Sequence, residues 1–344
     1  MRVSSMAAAA PLKLALGGRL AGSASRRGFA TSSRLDASYG FIGLGQMGYP
    51  MARNLRSKIN QSDTMYVHDV NPAVCERLQQ EVGNVNVANS VRDVANNAET
   101  ILTVLPQPYH VQSVFREMLK PDEKAPDLKS TKHERLFIDC STIDPKTSAG
   151  IAKATTTTHQ GKFVDAPMSG GAVGAAAGTL TFMVGANPEM FPRVQEVLSL
   201  MGKRVLHLGP PTSGLKAKLA NNYLLAVNNI ATCEAMHMGT SWGLDPKALA
   251  DMINTATGRC WPSEVNNPVP GIVENAPAGR DYQPGFGTTL MLKDLDLALQ
   301  AAAEANIIPQ LGAHAKELYA ATQGDEKCKD RDFSVVYRYI GGKE

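Results

Sequence analysis

The sequence predicts an α/β fold: a doubly wound, mostly parallel sheet followed by an all-helical C-terminal part. Two observations carry this. From Tyr39 to about residue 208, short apolar strands alternate with stretches long enough for helices, the pattern of a parallel sheet with helices packed on it. Beyond about residue 210 the strand signals stop and helical spacing takes over. The expected organisation is a leader over residues 1–36, a sheet domain over 37–208 and a helical domain over 209–340.

Taken in order, Phe41-Ile42 opens the first strand, ahead of a Gly-rich turn and a helical pattern. Met65–His68 forms the second strand, and Pro72 to Val82 is long enough for a helix. Ile101–Leu105 reads as a strand stopped by Pro106; Leu136–Asp139, Phe163–Asp165 and Thr179–Val184 read as three more. Pro121 to Thr131, polar and charged with two prolines, reads as a solvated loop. Thr212 or Ser213 is placed to cap a long apolar helix that Gly243 ends in a left-handed turn. Asp245-Pro246 starts another helix, Asp as cap and Pro in the first turn. Leu311, Ala315, Leu318 and Tyr319 repeat at helical spacing near the end. A helix as apolar on most sides as the long one is buried by other helices or by a second subunit, so a homodimer or homotetramer is expected.

The chain has 344 residues, more than one hydrophobic core usually serves. The formal charge of +3 is concentrated at one end. Arg2, Lys13, Arg19, Arg26, Arg27 and Arg34 all precede the first acidic residue, Asp36. Without those six cations +3 becomes −3, which does not suit nucleic-acid binding. A leader rich in Ala, Ser and Gly, Arg-bearing and free of acids has the composition of a mitochondrial presequence, and the expected address is the mitochondrial matrix. Arg27-Gly28-Phe29-Ala30 resembles a matrix-peptidase site, placing the mature start near Ala30. The 5 cysteines are scattered without a Cys-x-x-Cys pair, so neither a disulfide framework nor a zinc site is expected. The histidines lack ligand spacing, and no metal is expected. No apolar run reaches the ~18 residues of a membrane-spanning helix.

Gly43-Leu44-Gly45-Gln46-Met47-Gly48 is a Gly-x-Gly-x-x-Gly sequence. Alone it says little, but a strand precedes it, a helix follows, and Asp69 ends the next strand 21 residues after Gly48. This is the Rossmann arrangement. Gly43 allows the tight turn, Gly45 lets a pyrophosphate approach the backbone, and Gly48 lets helix and strand pack closely. The helix start then favours the phosphates. Asp69 suits the adenosine ribose hydroxyls and repels a 2′-phosphate, and Val70 stands where an NADP enzyme would use an arginine. The expected cofactor is NAD.

Chemistry-bearing residues occur in three further places. Asp165-Ala166-Pro167-Met168-Ser169-Gly170-Gly171 puts small residues at the carboxyl end of a strand, where ligands bind in open parallel sheets. Ser169 offers a hydroxyl, and the Gly170 and Gly171 amides offer unobstructed N–H groups to a carboxylate; the stretch reads equally as a flexible connection. Lys218 and Asn222 lie at i and i+4 on the long helix and share a face, whereas Lys216 points elsewhere. Lys218 is either a buried amine facing a cleft or a lysine snorkelling along a surface stripe. Gly285–Asp294 runs from a Gly-rich turn into a helix start, and Lys293 either completes the site or pairs with Asp294. Residues 258–261 and 267–271 show no role on physical grounds.

Together these residues resemble the beta-hydroxyacid dehydrogenases, from about Gly40 to Val336. The most specific stretches are Phe41–Met51, Ile138–Pro145, Asp165–Gly171, Lys218–Asn222, Gly258–Trp261, Asn267–Gly271 and Gly285–Asp294. The resemblance implies NAD-linked oxidation of a small 3-hydroxy acid, with Lys218 as general acid/base and Asn222 orienting the substrate. It implies that Ser169, Gly170 and Gly171 hold the substrate carboxylate. Leu105, Pro106 and Thr142 would line the nicotinamide half of the cofactor site, and Lys293 would contact cofactor or substrate. In one departure, His110 stands a few residues beyond Leu-Pro, where relatives often carry Asn. Residues 121–131 are also longer and more charged than the family usually shows.

A free lysine titrates near ~10.4, too high for a base at neutral pH. Burial and cationic neighbours lower that value, so oxidation is expected to rise with pH as Lys218 deprotonates. The alternatives are a relative such as tartronate semialdehyde reductase or a phosphogluconate-type dehydrogenase, and a dinucleotide-binding scaffold without turnover. Asp69 opposes the NADP-linked sugar-acid enzymes, and the presence of Lys218 opposes the scaffold.

Overall fold

The computed structural model describes residues 36–120 and 134–344. The predicted leader and the predicted loop over residues 121–131 lie outside the described residues.

The strands are β1 (Ser38–Ile42), β2 (Thr64–His68), β3 (Val85–Val87), β4 (Thr100–Thr103), β5 (Leu136–Asp139), β6 (Lys162–Asp165), β7 (Met168–Ser169), β8 (Leu180–Gly185) and β9 (Gly202–Gly209). Between them run α1 (Gly48–Lys58), α2 (Pro72–Val82), α3 (Val91–Asn97), α4 (Pro108–Met118), α5 (Pro145–Thr157), α6 (Gly171–Ala177) and α7 (Phe191–Leu198). The sheet order is β3-β2-β1-β4-β5-β6-β8-β7, with β9 paired to β8. β3 through β6 are parallel; β8 runs antiparallel to β6 and β7, and β9 parallel to β8. Because β1 has β2 on one side and β4 on the other, the winding reverses there. That switch point is where the sheet opens to a ligand.

Successive strand residues feed opposite faces, as the two-residue period requires. Phe41, Leu102, Ile138 and Val164 pack on one face with Met51 and Leu55 of α1. Ile42, Ile101, Phe137 and Phe163 pack on the other with Val94 of α3 and Phe115 of α4. Both faces are covered, which explains why these strands read as continuous apolar runs.

After β9 the described chain is helical: α8 (Ser213–Ser241), α9 (Pro246–Thr255), α10 (Trp261–Glu264), α11 (Thr288–Glu304), α12 (Gly312–Gly324) and α13 (Val336–Tyr339), with short 3-10 turns. The expected all-helical C-terminal part is present. The long helix α8 is its axis: Ala226, Cys233 and Met236 pack with Met291 and Leu295 of α11, Tyr319 of α12, and Phe333 and Tyr337. Inside that core Asn229 donates to the Tyr319 hydroxyl at 2.9 Å and to the Phe333 carbonyl at 3.0 Å. The Tyr319 hydroxyl donates to the Ala226 carbonyl at 3.1 Å. A buried amide is tolerated because its donors are satisfied.

Gly243 is left-handed at φ +87° as expected, and Asp245 caps α9 by accepting from the Ala248 amide at 2.8 Å. The expected side-chain cap of α8 is absent: Thr212 sits at φ +77° and makes no cap hydrogen bond. Three strands were not foreseen. β3 and β7 are only three and two residues long. β9 is exposed along most of its length, so it lacks the apolar alternation that announces a strand. The strand expected to run to Leu105 stops at Thr103.

Candidate active site

The Gly-rich turn lies at the switch point. Gly43 has φ +92°, and a Cβ there would fall 2.3 Å from the Val104 carbonyl oxygen. A Cβ on Gly48 would fall 1.9 Å from the Gly43 carbonyl oxygen, so α1 closes on the turn only as glycine. Gly45 differs: it is exposed, and nothing stands within 4 Å of where its Cβ would be. Two of the glycines are needed by the protein itself, while the third leaves open space, as a backbone does that a phosphate must approach. Leu44 is buried, Gln46 exposed, and Met47 half-buried at the start of α1.

Asp69, just after β2, accepts from the Leu44 amide at 2.7 Å through Oδ2 and from the Asn71 amide at 2.9 Å through Oδ1. It therefore fixes the turn, and each oxygen keeps a lone pair for a further donor. Val70 beside it is 97% exposed, so its side chain closes off nothing. Gln46 also lines a cavity of about 330 Å³ with Gly285, Gly287 and Thr289. The two Gly-rich turns, far apart in sequence, border the same space.

Next to the switch point, the ends of β4 and β5 are tied together. Thr103 donates to Asp139 at 2.7 Å, the Ser141 amide donates to the same oxygen at 3.1 Å, and the Leu105 amide donates to the Ser141 hydroxyl at 2.8 Å. Burial pushes the Asp139 carboxyl up to about 6; hydrogen bonds from Ser141 and Thr103 oppose the rise, and Asp165 on the adjoining strand adds to it. Leu105 and Thr142 are half-buried and Pro106 exposed. Ser169 ends β7 and is half-buried, while Gly170 (φ +132°) and Gly171 (φ +62°) beyond it are exposed in conformations that favour glycine.

Lys218 is 8% exposed and Asn222 1%, whereas Lys216 is exposed. Of the two readings of Lys218, the buried amine is the observed one. Burial lowers its basicity; Asp294 opposes that shift and Lys293 reinforces it. Asn222 donates to Asp294 Oδ2 at 2.6 Å. Lys293 pairs with Asp294 Oδ1 at 2.9 Å and donates to the Thr142 carbonyl at 2.7 Å. Lys293 thus both pairs with Asp294 and ties α11 to the segment after β5. An amine, an amide, a carboxylate and a second ammonium from α8 and α11 are gathered beside a strand end of the sheet. Such a group can hold and release a proton in a site shielded from water.

Sequence reasoning missed three acids. Asp294 was considered only as a partner of Lys293, yet it organises the cluster. In the sequence Asp139 reads only as a strand end, and Asp165 as a strand end opening the small-residue stretch; the available signal is an acid ending each of two apolar strands. His110 lies in the first turn of α4, its ring 4.0 Å from that of Tyr109, and its Nδ1 is buried without a hydrogen-bond partner. Within residues 258–271, Pro262, Ser263 and Asn266 to Val269 are buried, while Arg259, Trp261 and Val265 are exposed. Arg259 pairs with Glu264 at 2.7 Å, Asn267 donates to the Ser263 carbonyl, and the Pro268 carbonyl accepts from buried Tyr282. Among the described residues no cluster of His, Cys, Asp or Glu is suited to a metal ion, and no helix is long and apolar enough to cross a membrane.

Comparison with known proteins agrees with this geometry. Residues 38–209 match the family described as the NAD binding domain of 6-phosphogluconate dehydrogenase. Residues 212–340 match the NAD-binding domain of NADP-dependent 3-hydroxyisobutyrate dehydrogenase. The mitochondrial 3-hydroxyisobutyrate dehydrogenase of Rattus norvegicus is 43% identical over 320 residues, covering 92% of this chain and 91% of that one. The Homo sapiens mitochondrial enzyme of the same name is 40% identical over 318 residues, covering 92% and 91%. Among solved structures, the 3-hydroxyisobutyrate dehydrogenase of Mycobacterium tuberculosis with L-serine superposes with a TM-score of 0.79 at 35% identity, covering 90% of this chain and 100% of that one. The chain belongs to the beta-hydroxyacid dehydrogenase family, alongside the 3-hydroxyisobutyrate dehydrogenases, and is an oxidoreductase that uses a nicotinamide dinucleotide.

Proposed function

We propose that the chain oxidises 3-hydroxyisobutyrate to methylmalonate semialdehyde with NAD, in the mitochondrial matrix, as a step of valine breakdown. The observation that carries this reading is the buried Lys218 amine, set beside Asn222 and Asp294 and linked through Lys293 to Thr142 at the sheet. The names of its relatives support the substrate and the organelle.

In this reading Gly43, Leu44, Gly45, Gln46, Met47 and Gly48 hold the pyrophosphate and Asp69 the adenosine ribose. Leu105, Pro106, Thr142 and Lys293 face the nicotinamide. The dinucleotide, when bound, supplies the acceptor for the hydride from the hydroxymethyl carbon. Ser169 and the Gly170 and Gly171 amides hold the substrate carboxylate, and Asn222 orients its hydroxyl. Neutral Lys218 takes the hydroxyl proton as the carbonyl forms, and returns it in the reverse direction. Burial serves this role, since an amine kept near its ordinary basicity would be protonated at neutral pH. Residues 37–208 would act as the NAD-binding domain and 209–340 as the substrate and dimerisation domain. Leu224 and Met238 on α8 and Trp242 at its end are 57%, 48% and 74% exposed, which favours a homo-oligomer.

The test is a panel of 3-hydroxyisobutyrate, glycerate and 6-phosphogluconate with NAD and NADP, read by absorbance of the reduced cofactor and repeated with Lys218→Ala. The expected result is turnover of 3-hydroxyisobutyrate with NAD, cut about a thousandfold in the variant while NADH binding persists. Preference for 6-phosphogluconate with NADP, or near-native turnover by Lys218→Ala, would overturn it. Light scattering tests the assembly.

A further inference from the structure

The helix that carries Lys218 is capped by a residue of the sheet. Thr212 supplies no cap. Instead the Asp165 carboxylate at the end of β6 accepts from the Thr212 amide at 2.7 Å and from the Leu215 amide at 3.0 Å, one oxygen each. These N–H groups have no acceptor within the helix, and a carboxylate also suits the positive end of the helix dipole.

The slot for this carboxylate is built from two glycines on different elements. A Cβ on Gly185 of β8 would fall 2.5 Å from Asp165 Oδ1. A Cβ on Gly214 of α8 would fall 3.0 Å from Asp165 Oδ2 and 2.1 Å from the Met183 carbonyl oxygen. Asp165 is 1% exposed. Only with both glycines can the helix end approach β8 closely enough for the acid to bridge them.

The placement matters because of what lies on either side. Ser169 is four residues beyond Asp165, and Lys218 is three residues beyond Leu215, roughly 4.5 Å further along the helix axis. A cap from the helix's own preceding residue would stabilise α8 wherever it lay. A cap from β6 fixes both the height and the rotation of its first turn against the sheet.

We infer that Asp165 is a positioning residue for the reaction: by capping α8 from β6, it sets where the Lys218 amine stands relative to the Ser169 turn. The inference rests on the reading of Lys218 as the acid/base. A displacement of an ångström at a reacting group is enough to cost about 100-fold in rate.

Asp165→Asn preserves volume but turns an NH₂ toward amide donors. The experiment is a double-mutant cycle on full-length enzyme between Asp165→Asn and Lys218→Ala, measuring kcat, KM and NADH binding by fluorescence. Expected is a ten- to hundred-fold loss of kcat in the native background, NADH affinity within two-fold, and less than a two-fold further loss in the Lys218→Ala background. If Asp165→Asn does not fold, Asp165→Ser, which keeps one small acceptor, is read in the same way. Native kcat in a folded Asp165 variant, with Lys218→Ala slowed as expected, overturns the inference and leaves Lys218's role standing. An equal loss in both backgrounds also overturns it, because the residue would then act independently of Lys218. Near-native turnover by Lys218→Ala overturns the Lys218 reading, and this inference with it.

Discussion

Asn222 on α8 donates to Asp294 on α11 across 2.6 Å, and both side chains are buried. The bond uses one of the Asn222 amide hydrogens, and its Oδ1 accepts from Asn221 at 3.1 Å. The amide is thereby held in one orientation, with one N–H left over, free for the substrate hydroxyl that the proposed function assigns to it. Asp294 also counterbalances Lys293, so one carboxylate sets both the geometry of Asn222 and the charge around Lys218.

The charged neighbours of Lys218 act on it with opposite sign, so their removal separates them. With Lys218 as the base, as proposed, oxidation needs the amine neutral and therefore rises as pH passes its pKa. Asp294 raises that pKa, so Asp294→Asn moves the rise in kcat to lower pH, with about a tenfold or greater loss at the plateau from the freed Asn222. Lys293 lowers it, so Lys293→Met moves the rise to higher pH. pH–rate profiles of the two variants check this; shifts in the same direction would exclude it.

The glycines of the turn divide by role. Gly48→Ala places a Cβ 1.9 Å from a backbone oxygen, so it should lower the Tm or prevent folding. Gly45→Ala meets open space in the protein, so the Tm should stay within a degree or two of native while NAD affinity falls about tenfold or more. Calorimetry with and without NAD measures both. A Gly45→Ala enzyme binding NAD normally would show that the pyrophosphate does not approach there.

Asp69 should govern cofactor choice. Asp69→Ser combined with Val70→Arg removes the charge that repels a 2′-phosphate and supplies one that attracts it. Expected is a shift of the NAD/NADP preference in kcat/KM by about 100-fold or more toward NADP. Because Asp69 also holds the Leu44 amide, some loss with both cofactors should accompany the shift. Parallel kinetics with each cofactor decide it.

The raised Asp139 carboxyl has a signature in stability. Its folded pKa is about 6, above the ~3.9 of an unfolded aspartate. The folded state therefore holds the proton more tightly, and the associated stabilisation, about 3 kcal/mol, is complete below pH 4 and lost as pH rises through 6. Relative to Asp139→Asn, the native protein should lose Tm between pH 4 and 7.5. A constant Tm difference over that window would contradict this.

The alternation of strands with helices and the Gly-rich turn were legible because their signals are local. The run of Phe41, the three glycines and Asp69 lies within one βαβ unit, and each residue type has one physical reason to be there. The Lys218–Asn222 face was legible from helical spacing. What made it a site was not: Asp294 is 72 residues from Asn222, and Asp165 is 50 from Leu215. Pairings at such separation follow from packing, which leaves no periodic trace. β9 escaped for the opposite reason, since an exposed edge strand carries no apolar alternation.

The bond from Asn229 to the Phe333 carbonyl sets an order of events during synthesis. The middle of α8 leaves the ribosome about a hundred residues before its partner exists, and Phe333, Val336 and Tyr337 complete its packing. Until then the nascent helix carries a bare apolar flank, the kind of surface that chaperones bind. A premature stop near residue 330 would leave that flank bare permanently, disabling the enzyme far from any residue that touches substrate.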